Sequence, residues 1–224
     1  MKNTLIINLL GGPGSAKSTM MASLFAELKW HGIDCEMVTE YAKDLVWEES
    51  FKSLDNQFHV SATQYKRLKR MEGKVDIVIT DSPLILGIIY GKKEPEDLSS
   101  LILKYHNTFS NLNIFLDRKK KYNPNGRVQN EQEAIEKDGE ILEMFTDLDI
   151  PYFRFNGDKG SVPLIMEFIM DYISKGHPNN LDNMEKNRDR KSIVQIYSKR
   201  LDKYEECSYG SFLDIWSNND WIIV

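Results

Sequence analysis

Short apolar runs bounded by turn residues alternate along the chain with longer stretches in which apolar positions recur every three or four residues. The runs are TLIINLL (4–10), DCEMVT (34–39), VDIVIT (75–80), NLNIFL (111–116) and PYFRFN (151–156). The amphipathic stretches cover 16–30, 57–71, 83–90, 96–109, 131–148 and 162–173. A nearly unbroken apolar run suits a strand buried on both faces, and its alternation with helical periods suits a parallel sheet wrapped by crossover helices. The predicted fold class is α/β: a doubly wound, mostly parallel five-stranded sheet.

Two segments depart from that rhythm. DRKKKYNPNGRVQNEQEA (117–134) places a basic cluster and an Asn-Pro-Asn-Gly turn before a helix, and is predicted to be an exposed loop entering that helix. Beyond SKGHPNNLDN (174–183) the periodicity weakens and the chain turns aromatic, FLDIWSNNDWIIV. The predicted organisation is a main domain over 1–175 and a C-terminal extension over 176–224.

Composition narrows the partners. There are 34 Asp and Glu against 29 Lys and Arg, so no global field draws the molecule to nucleic acid or an anionic membrane. The two cysteines, Cys35 and Cys207, have no ligand-like spacing, which suits a reducing compartment. The first apolar run is short and ends in glycines, and none approaches the roughly 20 residues of a membrane span. The expectation is a soluble cytoplasmic protein with no membrane partner.

The candidate chemistry begins at NLLGGPGSAKSTMMASLF (8–25). A strand, a glycine-rich turn and a helix in that order make a phosphate loop, in which small residues let successive N–H groups turn onto phosphate oxygens at a helix N-terminus. The residues so assigned are Gly12, Pro13, Gly14, Ser15, Ala16, Lys17, Ser18 and Thr19. Lys17 would reach the β/γ-phosphates of ATP, and the Ser18 hydroxyl would ligate Mg²⁺. Ala16 stands where the pattern G-x-x-x-x-G-K-[ST] has glycine. Its methyl costs little if the position is helical and about 1 kcal/mol if it needs φ > 0. The expectation is a cradle that tolerates the methyl.

A second acidic group for the metal is expected at the end of another buried strand. VDIVITDSP delivers Asp81 there, either to the metal or catalysis or to cap the helix expected near Pro83. EMVTEYAKDLVWEE delivers Glu40, a candidate base that competes with Asp81 for the task, or a simple helix N-terminal acid. No Asn-Lys-x-Asp or LSGGQ-like run occurs, and the chain is short for the helical lid and sensor arginine of a ring-forming motor ATPase. A small kinase remains, and it needs a lid that keeps water from the γ-phosphoryl group. Residues 117–134 fit that lid, with Arg118, Lys119, Lys120, Lys121 and Arg127 as its cations. Arg127, in NPNGRVQ, is the one assigned a catalytic role, because a turn fixes its backbone and guanidinium grips phosphate bidentately.

GGPGSAKST, VTEYAKDLVWEE, DIVITDSPL, YNPNGRVQNEQEA and IPYFRFNGD, in that order, resemble a group of bacteriophage phosphate-loop kinases. These are similar to the nicotinamide riboside kinase domain and, more distantly, to thymidylate kinase, and they include the 5-hydroxymethyluracil DNA kinases. The resemblance spans residues 4–174. It implies a P-loop nucleotide kinase fold, ATP contact at Gly12 to Thr19, a metal or base function at Asp81 and a lid role at Arg127. It also implies a nucleoside-like acceptor, with 5-hydroxymethyluracil in phage DNA favoured over a free deoxynucleotide or nicotinamide riboside, and host cytoplasm if phage-encoded. KNRDRKSIVQIYSKRLDK (186–203), followed by Tyr204, Tyr209, Phe212, Trp216 and Trp221, could follow a phosphate backbone and stack on bases, or form a solvated helix with an aromatic face. A reading of another class is a nucleotide-dependent ATPase or switch that binds a partner and transfers nothing.

Overall fold

The computed structural model describes residues 3–95, 97–119, 130–174, 193–198, 203–208 and 221–223. The chain divides into two compact units, Met1–Met166 and Glu167–Val224.

The first unit carries a five-stranded sheet of β1 (Leu5–Leu10), β2 (Cys35–Val38), β3 (Ile77–Thr80), β4 (Ser110–Asp117) and β5 (Phe153–Asn156), in the order β2-β3-β1-β4-β5. Every pairing is parallel, with Ile7 opposite Ile79 on one side and Leu112 on the other. Each expected strand is present. All six residues of β1 and all four of β3 are buried, as their apolar runs require of strands covered on both faces.

The helices are α1 (Lys17–Trp30), α2 (Tyr41–Trp47), α3 (Phe51–Asp55), α4 (Gln57–Lys69), α5 (Leu86–Tyr90), α6 (Asp97–His106), α7 (Glu131–Asp147) and α8 (Ser161–Ser174). Helix α1 buries Met20, Met21, Leu24 and Leu28, a stripe at helical spacing. Helix α7 opens on a capping box, in which Asn130 accepts from the Glu133 N–H and Glu133 accepts from the Asn130 N–H. One cluster packs Ile6, Val38 and Val78 of the sheet with Leu68, Leu98 and Ile102 of α4 and α6. Another packs Leu10 and Phe115 with Leu86 and Ile89 of α5 and Ile141, Met144 and Phe145 of α7.

Two helical expectations need correction. Helix α5 starts at Leu86 rather than Pro83, because the intervening residues turn through tighter bonds such as Leu86 N–H to Pro83 O at 3.0 Å. Asp81 is therefore not its cap. Helices α2 and α3 were not visible as periods, since α2 buries only Leu45 and α3 buries nothing.

In the second unit, β6 (Ile193–Ser198), β7 (Lys203–Ser208) and β8 (Trp221–Ile223) form an antiparallel sheet in the order β7-β6-β8. The basic stretch 186–203 thus contains a strand at 193–198, not the helix entertained from its sequence. Among the described residues no helix is long and apolar enough to cross a membrane.

Candidate functional site

All five strands of the main sheet end on the same edge, where ligands of open α/β sheets lie. Strand β1 runs into the glycine-rich turn, β2 into Glu40, β3 into Asp81, β4 into Arg118 and β5 into Gly157.

The turn after β1 needs backbone that most side chains resist. Gly11 has φ +129° and Gly14 φ +85°, the region open to glycine. Ala16 also lies there, at φ 72° and ψ 16°, as the residue preceding α1, and its carbonyl accepts the Met20 N–H at 2.9 Å. The conformation a glycine would adopt freely is thus imposed on an alanine. The expectation of a cheaply tolerated methyl is corrected: the position needs φ > 0, and an L-residue is strained there.

Lys17 is half-buried and folds back on the loop, its Nζ donating to Gly11 O at 2.7 Å and Gly12 O at 3.1 Å. Burial pushes its ammonium below the usual pKa, and Arg118 adds to the lowering, while the charges of Glu40, Asp81 and Asp138 pull it back up. Three carboxylates from three elements therefore act on one cation. Asp81 is 5 % exposed, and its Oδ1 has no hydrogen-bond partner among the described residues. Burial raises its pKa, against the opposing pull of Lys17, its own and Glu40's backbone N–H, and Lys43.

Glu40 is held in place by α4. Gln64, 3 % exposed, accepts the Tyr41 N–H at 3.2 Å, and Arg67 pairs with Asp44 at 2.7 Å while donating to Thr39 O at 3.3 Å. The Glu40 side chain makes no cap hydrogen bond to α2, although it precedes that helix. Capping does not occupy it, and it acts on Lys17 instead.

Sequence reasoning missed several neighbours. Asp138, in the middle of α7, takes the Gly12 N–H at 2.5 Å. Arg118, expected in an exposed lid cluster, is sheltered and bound to Asp138 and to Pro13 O at 2.7 Å. Gly157 presses on the loop so closely that a Cβ there would stand 2.5 Å from Ser15 O. Tyr90 has its pKa raised by burial and by the charges of Glu40, Asp138 and Glu140, with Lys137 Nζ 5.8 Å from its ring centre. Only the doubled glycine of GGPG hinted at a close approach here.

Lys17, Glu40 and Asp81 are brought together. Ser18 and Thr19 lie exposed in the first turn of α1, and Ser15 is buried, its hydroxyl without a hydrogen-bond partner among the described residues. Lys120, Lys121 and Arg127 lie outside the described residues. Among those described, no three His, Cys, Asp or Glu side chains cluster as a metal cage. Asp81 Oδ1, buried and without a partner among the described residues, nevertheless fits the carboxylate oxygen of a magnesium site completed by substrate phosphates and water.

The fold is that of P-loop nucleotide kinases. A deoxyadenosine kinase from M. mycoides, solved with the products dCMP and a flexible dCDP, matches with a TM-score of 0.50 at 18 % identity, over 75 % of this chain and 98 % of that one. The same enzyme with bound dATP matches with a TM-score of 0.48 at 18 % identity, over 78 % of this chain and all of that one. No curated protein matches the sequence. The AAA domain model matches residues 6–163, which is most of the chain, and the protein belongs to that family.

Proposed function

We propose that the chain is an ATP-dependent kinase that transfers the γ-phosphoryl group to a hydroxyl of a nucleoside-like acceptor. The observation that carries this reading is the convergence on Lys17 of Glu40 and Asp81, each at the carboxyl end of a different parallel strand. Two carboxylates there suit a metal ligand and a base for the attacking hydroxyl.

In this reading the loop from Gly12 to Thr19 binds the phosphates, and Lys17 leaves the Gly11 and Gly12 carbonyls to meet the β/γ-oxygens. Ser18 and Asp81 would hold a magnesium ion, which would neutralise phosphate charge there. Glu40 orients the acceptor hydroxyl and takes its proton as the oxygen forms its bond to the γ-phosphorus. The bond from that phosphorus to the bridging oxygen breaks, and ADP leaves. Arg127 is the lid cation that meets the charge developing on the γ-phosphoryl group.

For the acceptor, the sequence blocks shared with phage kinases favour 5-hydroxymethyluracil in DNA, and the fold shared with a deoxyadenosine kinase favours a free deoxynucleoside as second reading. Membership of the AAA domain family keeps an ATPase or switch as the reading of another class. The test is to supply γ-labelled ATP with duplex DNA containing hydroxymethyluracil, with plain DNA, with deoxynucleosides and deoxynucleotides, and with nicotinamide riboside. Label in the modified DNA is expected. Label in a free nucleoside alone would move the acceptor and keep the kinase, and phosphate release with no labelled acceptor would overturn the kinase.

A further inference from the structure

The Asp138 carboxylate is shared between two donors. Oδ1 accepts the Gly12 N–H at 2.5 Å, while Oδ2 accepts from Arg118 Nε at 3.2 Å and Nη2 at 2.9 Å. Arg118 also donates through Nη1 to Pro13 O at 2.7 Å and through Nη2 to Ala134 O at 3.3 Å. Both side chains are sheltered, at 12 % and 17 % exposure. Helix α7 rests so close to the loop that a Cβ on Gly12 would stand 2.4 Å from Ala134 O and 2.9 Å from Asp138 Oδ1.

A loop N–H on one oxygen and a guanidinium on the other is the donor set that a phosphate takes at such a loop. Asp138 also acts on Lys17, so its charge reaches the place where phosphate charge would be neutralised. A neutral amide would serve the Gly12 N–H but not the guanidinium, so the charge of Asp138 is spoken for by Arg118 until another anion takes that arginine. The carboxylate brings a full negative charge into a cradle for anions.

We propose that Asp138 is a built-in competitor of the nucleotide's phosphate: it holds Gly12 and Arg118 until phosphate takes them, and thereby weakens nucleotide binding and hastens product release. This rests on reading the loop as a nucleotide cradle. Phosphate entering the loop displaces the carboxylate, takes the Gly12 N–H and Arg118 together, and shifts α7, on which Asp138 stands. The displaced charge remains beside the polyphosphate and opposes it. Asp138 is a positioning residue, acting through Arg118 and the loop.

The test compares wild type, Asp138→Asn, Asp138→Glu and Lys17→Ala in titrations with ADP, ATP and inorganic tripolyphosphate, with thermal melts as the control for folding. Asp138→Asn is expected to bind all three roughly tenfold tighter, the scale of one charge interaction in a half-buried site. The KM for ATP falls with it, and kcat falls or holds as ADP leaves more slowly, a split that a structural tie would not produce. Asp138→Glu keeps the charge and should bind no tighter than wild type, which preserves the test if the Asn variant melts early. In an Arg118→Ala background the gain from Asp138→Asn should shrink, because the two act as a pair. Wild-type ADP binding that Lys17→Ala removes upholds the cradle. With that in hand, unchanged or weaker binding by a folded Asp138→Asn, or tighter binding by Asp138→Glu, overturns the competitor alone. Failure of the wild type to bind any of the three probes would overturn both.

Discussion

The Lys17 ammonium donates to the Gly11 carbonyl at 2.7 Å, so the cation of the phosphate loop is satisfied by the first residue of that loop. Burial disfavours its charged form, while the charges of Glu40, Asp81 and Asp138 favour it, and its hydrogen bonds go to two loop carbonyls. The desolvation relieved and the counter-charge lost from Asp81 oppose each other, so Lys17→Ala should fold and shift the melting temperature only modestly. Phosphoryl transfer should fall by about 10²–10³, the effect of losing one preorganised donor at a transition state. Near-normal turnover in the steady-state assay would remove the phosphate-loop reading.

Ala16 carries strain that glycine would not. At φ 72° its Cβ crowds the neighbouring carbonyl, a conformation costing about 1 kcal/mol or more in an L-residue. The added chain entropy of glycine in the unfolded state offsets part of that gain. Ala16→Gly should raise the urea midpoint by an amount worth about 0.5–1 kcal/mol at constant m-value. A lower midpoint would mean that the loop relaxes around the methyl.

That the glycine-rich turn, Glu40 and Asp81 share one sheet edge was legible because each follows a short apolar run, and a strand's carboxyl end is a local property of the sequence. Ala16's backbone angle was not, since φ depends on where the loop must deliver its N–H groups. Asp138 was hidden for a different reason: it lies 126 positions from Gly12, in a helix whose charged residues look alike until packing selects one. Arg118 was counted with the basic run that follows it, and only its burial against α7 separates it from Lys119, which is exposed. Helices α2 and α3 were missed because they bury almost nothing, which leaves no periodic signal to read.

Gly157 has no room for a side chain. Its N–H is tied to Asp117 O at 2.7 Å, and a Cβ would meet Ser15 O at 2.5 Å and Asp117 O at 3.0 Å, both backbone atoms that move only with their elements. Gly157→Ala should destabilise the fold by about 1–3 kcal/mol through overpacking. It should also weaken ATP binding, since Ser15 belongs to the cradle. A calorimetric titration of a folded variant with wild-type affinity would show that the β5–α8 turn gives way instead of the loop.

His106 should make the fold sensitive to acid. It is 2 % exposed, and burial lowers its pKa from 6.5 to about 4. The folded state holds the ring neutral while the unfolded chain protonates it, so this site's stability is intact above about pH 6.5 and is lost as pH falls toward 4. At about 1.4 kcal/mol per pH unit the loss approaches about 3 kcal/mol. Urea midpoints of wild type and His106→Asn, measured from pH 7.5 downward, should converge as pH falls through this window. A constant difference would show that His106 does not titrate with unfolding.

Asp81 sets function against stability. Burial holds its carboxyl pKa above the usual value, so above the ordinary carboxylate range the fold bears the cost of an ionised group whose Oδ1 has no partner among the described residues. A raised carboxyl pKa means that the folded state binds the proton more readily, and stability from this group falls as pH rises. Asp81→Asn removes the charge and keeps the volume, while Lys17 retains Glu40 and Asp138 as counter-charges. The variant should melt above wild type at neutral pH, with the difference shrinking as pH drops below the usual carboxylate range. Transfer to the acceptor should fall by about 10²–10³, because the group proposed to hold the metal is gone. The two readouts separate a functional carboxylate from a structural one: lower activity with a higher melting temperature marks the first, and a lower melting temperature with activity retained would mark the second.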